Sequence, residues 1–405
     1  MNCVSGKKIG GDRPGPRRRW CFFGASALFL AALVYAQAPL ASRPATLHLS
    51  LASAGSLSAP PPDAPPKSSS DANAPWRALS SLNRTEELDP EDIHWHTFAA
   101  AFNPPFRIAL PDPASDHNTR VILTDVYEDA LGDVFRVLLA GRCGAGTPVL
   151  DIGANLGVFA ATSAAFGCPV VAVEAQTRLI PYLQHTVAAN AGAWGGARVE
   201  VLNVAVYDAP GSLSIAYYDA SHSGWLSMAM DQRSLSTCSS TPGCQLETVP
   251  VVTTAQLVTR DHLLVKIDVD GPEAVITKAL LPALREHSVE SLLIEVCPEG
   301  WRDMITRAEG VGVLRQLMEE FGYDLLILNQ IDFGSYKAGF LARLARLEGV
   351  FRPKAYVVPP DMLAELFDDQ TTAINCKNVV FTSVRALMQR FKGAGGLLVA
   401  PTSQF

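Results

Sequence analysis

Four acidic residues each follow an apolar run that predicts a buried strand. They are Asp151, Glu174, Asp268 and Glu295. In an open parallel sheet, the carboxyl ends of the strands meet at the edge where ligands bind. A single acid of this kind is explained by helix capping. Four at successive strand ends predict one binding site along this edge.

The first of these acids begins a D-x-G-x-N-x-G motif. Its members are Asp151, Gly153, Asn155 and Gly157. Glycine has no Cβ, so the backbone can turn sharply and lie close to a ligand. A helix predicted over 158–166 would point its free N–H groups at that turn. A dinucleotide fingerprint begun at Gly153 would need glycines at 155 and 158, where the chain has asparagine and valine. The motif therefore predicts a nucleotide-type site of another kind.

Two polar residues on the next strands extend the predicted site. Glu174 lies 23 residues after Asp151, where an acid can accept both ribose hydroxyls of an adenosine; helix capping or solvation is the alternative. Asn203 ends the third strand, where its amide could pair with an adenine edge or simply serve a turn. Asp151 would orient the part of the ligand beyond the adenosine, directly or through water. Alternatively, it would only brace the glycine turn.

Strands and helices alternate from residue 147 onwards. The predicted strands are 148–152, 169–174, 198–206, 263–268, 291–296, 325–328 and 378–382, and the predicted helices between them are 158–166, 179–189, 274–281 and 313–321. This alternation predicts an α/β fold with a doubly wound, mostly parallel, seven-stranded sheet. Before it, the pattern predicts a strand at 121–123 and a helix over 130–140.

A polar insertion over 208–245 interrupts this alternation. Residues 211–217 alternate like a hairpin strand. Cys238 and Cys244 flank a turn and are expected to form a disulfide. The pairing of the other cysteines in this region, Cys143, Cys168, Cys297 and Cys376, cannot be read from their spacing.

Several segments together resemble one enzyme family. Residues 149–157 look like the first motif of class I S-adenosylmethionine-dependent methyltransferases, which have a Rossmann-like sheet. Residues 266–273, Lys-Ile-Asp-Val-Asp-Gly-Pro-Glu, resemble the K-I-D-V-E-G-x-E signature of FkbM-type methyltransferases. Residues 203–208 and 293–296 also fit, so the resemblance covers about residues 120–330. The chain departs from the family pattern at Asp270, which replaces the usual Glu.

The resemblance implies methyl transfer from S-adenosylmethionine, most often to a hydroxyl. Such an enzyme must align the acceptor oxygen with the methyl group and remove its proton. Asp268 is the first candidate base and Glu295 the second. Lys266 is expected to pair with a carboxylate, either in catalysis or as a structural ion pair.

The resemblance leaves the acceptor side less defined. The candidate acceptor-binding residues are Asp270, Glu273, His222 and Trp225. Glu273 lies in the first turn of a helix, where it could instead cap that helix. His222 and Trp225 could equally be packing residues of a loop. No metal is expected, although the acids at 268, 270, 273 and 295 could together hold a divalent cation.

The amino terminus predicts a membrane anchor. A basic tail over 1–19 precedes an apolar segment at 20–38, and a Pro- and Ser-rich stalk follows over 39–84. The positive flank predicts a single-pass type II protein of the Golgi or endoplasmic reticulum lumen. Cleavage after Ala38, giving a secreted protein, and a transit peptide are the alternatives. Asn83 begins the N-x-[ST] triplet.

These boundaries leave 85–145 as a preamble that packs on a methyltransferase domain over 146–400. A net charge of −7 argues against nucleic acid as a partner. The expected partners are a small-molecule or glycan acceptor and the membrane, and the oligomeric state cannot be predicted. Two rival functions remain. One is a type II glycosyltransferase that uses Asp268 and Asp270 as a metal-binding D-x-D, and the other is a non-catalytic binding protein of the same fold.

Overall fold

The computed structural model describes part of the chain, within the unit Ser68–Phe405. The described residues are 88–98, 105–123, 129–143, 146–217, 227–228, 238, 240, 244–269, 271–297, 301, 304–328, 350–351, 355–368, 376–383 and 398–399. None of the helices among them has both the length and the apolar content needed to cross a bilayer. The predicted tail, anchor, stalk and Asn83 lie outside these residues, and the predicted domain boundaries stay predictions.

Eight α-helices and sixteen strands are present in the described residues. The helices are α1 (His117–Ile122), α2 (Asp129–Leu139), α3 (Val158–Ala165), α4 (Ile180–Asn190), α5 (Thr254–Leu257), α6 (Glu273–Glu286), α7 (Arg307–Glu319) and α8 (Leu363–Asp368). The strands before the insertion are β1 (His94–Phe98), β2 (Phe106–Leu110), β3 (Val149–Ile152), β4 (Val170–Val173), β5 (Val199–Leu202) and β6 (Ala205–Tyr207). Those after it begins are β7 (Gly211–Tyr217), β8 (Ser227–Met228), β9 (Gln245–Thr253), β10 (Leu264–Ile267), β11 (Ser291–Val296), β12 (Asp324–Leu328), β13 (Val350–Phe351), β14 (Ala355–Val358), β15 (Lys377–Thr382) and β16 (Leu398–Val399).

The main sheet has ten strands in the order β16-β13-β14-β12-β15-β11-β10-β3-β4-β5. The five strands from β11 to β5 are mutually parallel. β15 runs antiparallel to both of its neighbours, β11 and β12. Since β14 and β16 are also reversed, seven of the ten strands point the same way. The chain winds outward from β3 to β5 and returns at β10, which makes the β3–β10 boundary the switch point where ligands bind in such sheets.

This sheet confirms the predicted α/β class and a mostly parallel arrangement, with one correction of size. All seven predicted strands are in it, but β13, β14 and β16 extend it to ten. The predicted strand at 198–206 is divided, because β6 leaves the main sheet and pairs with β9 instead. The predicted strand at 121–123 is wrong. Its residues end α1, which the Asp116 side chain caps by accepting a hydrogen bond from the Thr119 N–H (2.7 Å).

The strands at the centre of the sheet are buried on both faces. Every residue of β3, β4 and β10 is buried, which explains their apolar sequences. Leu150 and Ile152 face a core that includes residues of α6 and α7. Val149 and Leu264 face a second core formed with α2, α3, α4 and the β1–β2 hairpin. Only Asp151 and Lys266 carry charge in these three strands.

Two smaller parts flank the main sheet. The β1–β2 hairpin docks on α4, where the Ala109 N–H donates to Thr186 Oγ1 at 2.9 Å. The insertion forms a separate sheet in the order β6-β9-β7-β8. Beside it the predicted Cys238–Cys244 disulfide is confirmed, and Cys143–Cys168 and Cys297–Cys376 form two more.

Candidate functional site

A buried lysine lies at the centre of the candidate site. Lys266 is in β10, and its Nζ is 3.5 Å from Asp151 Oδ1, 3.1 Å from Asp268 Oδ2 and 3.3 Å from the Gly153 carbonyl oxygen. The Phe159 ring from α3 covers it, with its centroid 5.4 Å from Nζ. The Lys266 ammonium therefore contacts two of the predicted acids, Asp151 and Asp268, and also the backbone of the glycine turn at the switch point.

Asp151 presents an almost fully buried carboxylate at the base of the turn. Neither of its oxygens accepts a well-formed hydrogen bond from a described residue. The Ala160 N–H and Lys266 Nζ, the latter 3.5 Å away, make looser contacts with it. Burial raises the pKa of this carboxyl, while the Lys266 charge opposes the rise. Buried acceptors without well-formed hydrogen bonds are rare, and a catalytic or binding role is one of the explanations for them.

The two glycines of the turn lie so close to neighbouring segments of the chain that a side chain would not fit there. Gly153 (φ 78°) and Gly157 (φ 89°) both have the left-handed backbone that favours glycine. A Cβ on Gly153 would lie 1.7 Å from the Asp268 carbonyl oxygen, and one on Gly157 would lie 2.4 Å from Leu183 Cδ2. The turn therefore packs directly against the end of β10 and against α4.

Asn155 connects the turn to the acid at the end of β4. Its N–H donates to Glu174 Oε2 at 2.7 Å, and the Gln176 N–H donates to Glu174 Oε1 at 2.8 Å. Burial raises the pKa of Glu174 to about 7, although both hydrogen bonds work against the rise. Glu174 thus lies directly against the glycine turn, and its ribose-binding role stays a prediction.

Asn203 braces the loop that follows Glu174. Its Nδ2 donates to the carbonyl oxygens of Glu174 and Ala175, both at 3.1 Å, and its Oδ1 accepts from Thr177 Oγ1 at 2.8 Å. Asn203 is therefore brought to the predicted site. The contacts it makes within the chain correspond to the turn role that the sequence left open beside adenine pairing.

The separate sheet β6-β9-β7-β8 contributes two residues that sequence reasoning missed, Tyr217 and Glu247. Glu247 of β9 accepts a hydrogen bond from the Tyr217 hydroxyl. It also shares the single proton of the Thr177 hydroxyl with Asn203 Oδ1. The guanidinium of Arg178 lies over the Tyr217 ring at 4.8 Å. Burial and the contact with Glu247 raise the pKa of Tyr217. No local pattern marks these residues, because their contacts depend on how the insertion sheet approaches the loop after β4.

Glu273 faces inward, although it was a candidate for acceptor binding. Its carboxylate is fully buried and accepts from the Gly271 N–H (2.7 Å), the Val269 N–H (3.3 Å) and Trp301 Nε1 (3.0 Å). Burial raises its pKa, and the hydrogen bonds from Gly271 and Trp301 oppose the rise. Glu273 therefore braces the loop between β10 and α6 against the segment after β11.

The two candidate bases have different surroundings. The Asp268 side chain is 24% exposed, whereas Glu295 is buried and lies beside the Cys297–Cys376 disulfide. Ligand atoms of Glu295, Cys297 and Cys376 lie within 4.8 Å of one another, but the two sulfurs are bonded to each other. Asp268 and Glu273 belong to no such group among the described residues. His222, Trp225 and Asp270 lie outside those residues.

Comparisons with known proteins add only distant structural similarities. No protein-family model matches the chain, and no curated protein matches it. A methyltransferase FkbM from Methylobacillus flagellatus is 15% identical with a TM-score of 0.31, and the match covers 47% of this chain and 43% of that one. A geranyl diphosphate methyltransferase solved with geranyl diphosphate and sinefungin is 12% identical with a TM-score of 0.30 (68% and 87% covered). An S-adenosylmethionine-dependent methyltransferase from Neisseria gonorrhoeae is 12% identical with a TM-score of 0.24 (57% and 83% covered).

The chain spans less than half the length of the Methylobacillus protein. At these identities and TM-scores, none of the similarities bears on the function of this chain.

Proposed function

We propose that this chain is an S-adenosylmethionine-dependent methyltransferase that acts on a hydroxyl acceptor. The observation that carries the proposal is the 2.7 Å hydrogen bond from the Asn155 N–H to Glu174 Oε2. It places an acid suited to ribose hydroxyls against a glycine turn, at the switch point of a doubly wound sheet. The D-x-G-x-N-x-G spacing of that turn favours this cofactor over a dinucleotide.

The described residues fit the proposed cofactor at both of its polar ends. Glu174 would accept hydrogen bonds from the ribose hydroxyls. Asp151, whose buried oxygens accept no well-formed hydrogen bond from a described residue, would hold the amino-acid end, directly or through water. Asn203, which braces the loop after Glu174, would shape the floor under the adenine.

Asp268 is the proposed proton acceptor. When bound, S-adenosylmethionine supplies a methyl group already activated on a sulfonium. The acceptor oxygen would bond to the methyl carbon as the carbon–sulfur bond breaks, with the electron pair left on sulfur and the hydroxyl proton passing to Asp268. Its partial exposure suits this role better than the burial of Asp151, and Lys266 fixes its carboxylate at the strand end (3.1 Å). Glu295 is the second candidate.

We further propose that the acceptor is a sugar hydroxyl in the lumen of the secretory pathway. The predicted type II anchor supports this location. Three disulfides among the described residues are also typical of proteins from oxidising compartments. Trp225 and His222 of the insertion are the proposed acceptor-binding residues, since aromatic rings suit the apolar face of a sugar.

Cofactor binding tests the first part of the proposal. Isothermal titration of the purified protein should show binding of S-adenosylmethionine, and none of NAD or a sugar nucleotide. Glu174→Ala should abolish this binding. Glu309→Gln, at the exposed capping box of α7, is the matched control and should bind as the wild type does. Binding of a sugar nucleotide in place of S-adenosylmethionine would instead support the glycosyltransferase alternative.

Methyl transfer tests the remainder. O-methylated sugars should be lost from the glycans of cells that lack the protein and be restored by the wild type. Asp268→Asn should bind the cofactor normally but fail to restore them. Cofactor binding without any change in glycan methylation would reject the sugar acceptor, while restoration by Asp268→Asn would reject Asp268 as the base.

A further inference from the structure

Asn118 reaches the glycine turn from outside the doubly wound sheet. It lies in α1, which Asp116 caps. Its Nδ2 donates to Asn155 Oδ1 at 2.9 Å, although 37 residues separate them. The resemblance on which the predicted site rests begins at about residue 120, so it contains no sign of this contact.

The hydrogen-bond network fixes the direction of this contact. Asn155 Oδ1 also accepts from the Leu156 N–H at 2.7 Å, so the atom in this position must be the oxygen. Asn118 can meet it only with its NH₂ group. A side chain of the same shape without that group would place an oxygen against an oxygen.

The contact supports a backbone conformation that needs support. Asn155 is the only non-glycine residue with positive φ (50°) among those the structure describes. Such a backbone costs an L-residue about 1–2 kcal/mol, although asparagine tolerates it better than most. Two donors hold the Asn155 side chain, and its own N–H holds Glu174. Asn118 therefore holds the side chain of Asn155, and Glu174 holds its backbone N–H.

We infer that Asn118 is a positioning residue for the cofactor site. It keeps Asn155 in the conformation that presents its N–H to Glu174, and so it sets the place of the ribose-binding carboxylate. The segment before the sheet thus completes the site rather than only packing against it. This inference rests on the proposed function.

Two variants of Asn118 and one matched control test the inference. Asn118→Asp keeps the shape but removes the donor, and Asn118→Ala removes the side chain without adding charge. Asn190→Asp is the control. Asn190 makes equivalent amide contacts to the backbone of Arg107 (2.9 and 2.7 Å), which hold β2 on α4 and include no residue of the turn. For each folded protein, the dissociation constant for S-adenosylmethionine is measured by titration calorimetry and the stability by urea unfolding.

Asn118→Ala should weaken cofactor binding by about 3- to 10-fold, the usual worth of one hydrogen bond. Asn118→Asp should weaken it further, because it opposes two oxygens. Asn190→Asp should lower stability but leave the dissociation constant within about twofold, since the loss of one docking contact does not reach Asn155. If Asn118→Asp does not fold, the Asn118→Ala result decides.

The outcomes separate this inference from the proposed function. A wild type that binds the cofactor, with Asn118 variants that bind it equally well, would overturn the inference alone. Equal weakening by Asn190→Asp would also overturn it, because general docking of the preamble would then explain the effect. A wild type that does not bind S-adenosylmethionine would overturn both.

Discussion

Lys266 and Asp151 face each other as register partners on neighbouring parallel strands, with 3.5 Å between Nζ and Oδ1 and both side chains at most 3% exposed. The same ammonium also meets Asp268 at 3.1 Å. Breaking a buried ion pair on one side leaves an uncompensated charge and costs more than removing both partners. This asymmetry allows the role of the pair to be measured.

Lys266→Met should destabilise the protein by about 3–5 kcal/mol at pH 7, because it leaves the Asp151 charge buried without a cation. Adding Asp151→Asn should recover part of that loss. Urea unfolding of the single and double variants measures both effects. Lys278→Met, on the exposed face of α6, should change stability by less than about 0.5 kcal/mol. A Lys266→Met protein as stable as the wild type would show that the pair contributes nothing to folding.

The stability of the wild type should fall as pH rises between about 4.5 and 7, relative to Glu174→Gln. Burial raises the pKa of Glu174 from its ordinary value of 4.5 to about 7 in the folded chain, so the folded state holds this proton more tightly than the unfolded state. Its contribution is therefore fully present below pH 4.5 and is lost by about pH 7. Urea unfolding at half-unit pH intervals gives the difference. Glu309→Gln should follow the wild type throughout this range, since hydrogen bonding to Thr306 lowers the pKa of Glu309.

Cofactor affinity should respond to pH in the opposite direction. The ionised form of Glu174 accepts both ribose hydroxyls, so affinity for S-adenosylmethionine should fall by up to about tenfold per pH unit below 7. Titration calorimetry between pH 5.5 and 8 measures this. Glu174→Gln should bind weakly and with little pH dependence across the same range. Constant wild-type affinity would mean that Glu174 does not bind the ribose in its ionised form.

Alanine substitutions at the two glycines of the turn should reduce stability by different amounts. Gly153→Ala should prevent folding or cost more than about 3 kcal/mol, because its Cβ would overlap the Asp268 backbone. Gly157→Ala should cost about 2–4 kcal/mol, since the flexible end of Leu183 can move aside. Gly141→Ala has a similar φ (71°) with open space around it, so it reports the backbone strain alone, about 1–2 kcal/mol. Thermal unfolding should rank the three in this order.

Replacing both cysteines of a disulfide with alanine should destabilise the protein, and the loss should be larger for disulfides that close longer loops. Cys297 and Cys376 are 79 residues apart and Cys143 and Cys168 are 25 apart, so the first pair should cost about 1 kcal/mol more by loop entropy. The Cys238–Cys244 pair closes only a short loop and should cost least. Urea unfolding without reductant gives the ranking, and a reversed order would point to packing rather than loop entropy.

The central strands could be predicted because burial on both faces leaves a direct record in sequence. β3, β4, β10 and β11 are largely apolar, and the acids at or just beyond their carboxyl ends stand out for that reason. The elements that precede the main sheet, α1 and the β1–β2 hairpin, could not be predicted in the same way. α1 is only six residues long, and its Val121 and Ile122 favour a strand by type, so the Asp116 cap was the better signal.

The missed site residues share one physical cause. Asn118, Tyr217 and Glu247 reach the site from segments outside the strand–helix alternation, through contacts that span 30 to 70 residues. Their positions depend on how the preamble and the insertion pack on the sheet. Sequence spacing carries no information on that packing, whereas the motif residues Asp151 to Gly157 are placed by their own strand and turn.

The place of β15 has a consequence for biosynthesis. This strand lies between β11 and β12, yet the ribosome makes it after both of them and after β14. Until residues 377–382 leave the ribosome, β12 and β14 have no partner on the rest of the sheet. The apolar edge of β11 also stays open, and Cys297 cannot form its disulfide with Cys376. An uncovered edge of this kind invites pairing with other chains. Nascent chains that stall before residue 376 should therefore depend on chaperones much more than chains released a few residues later.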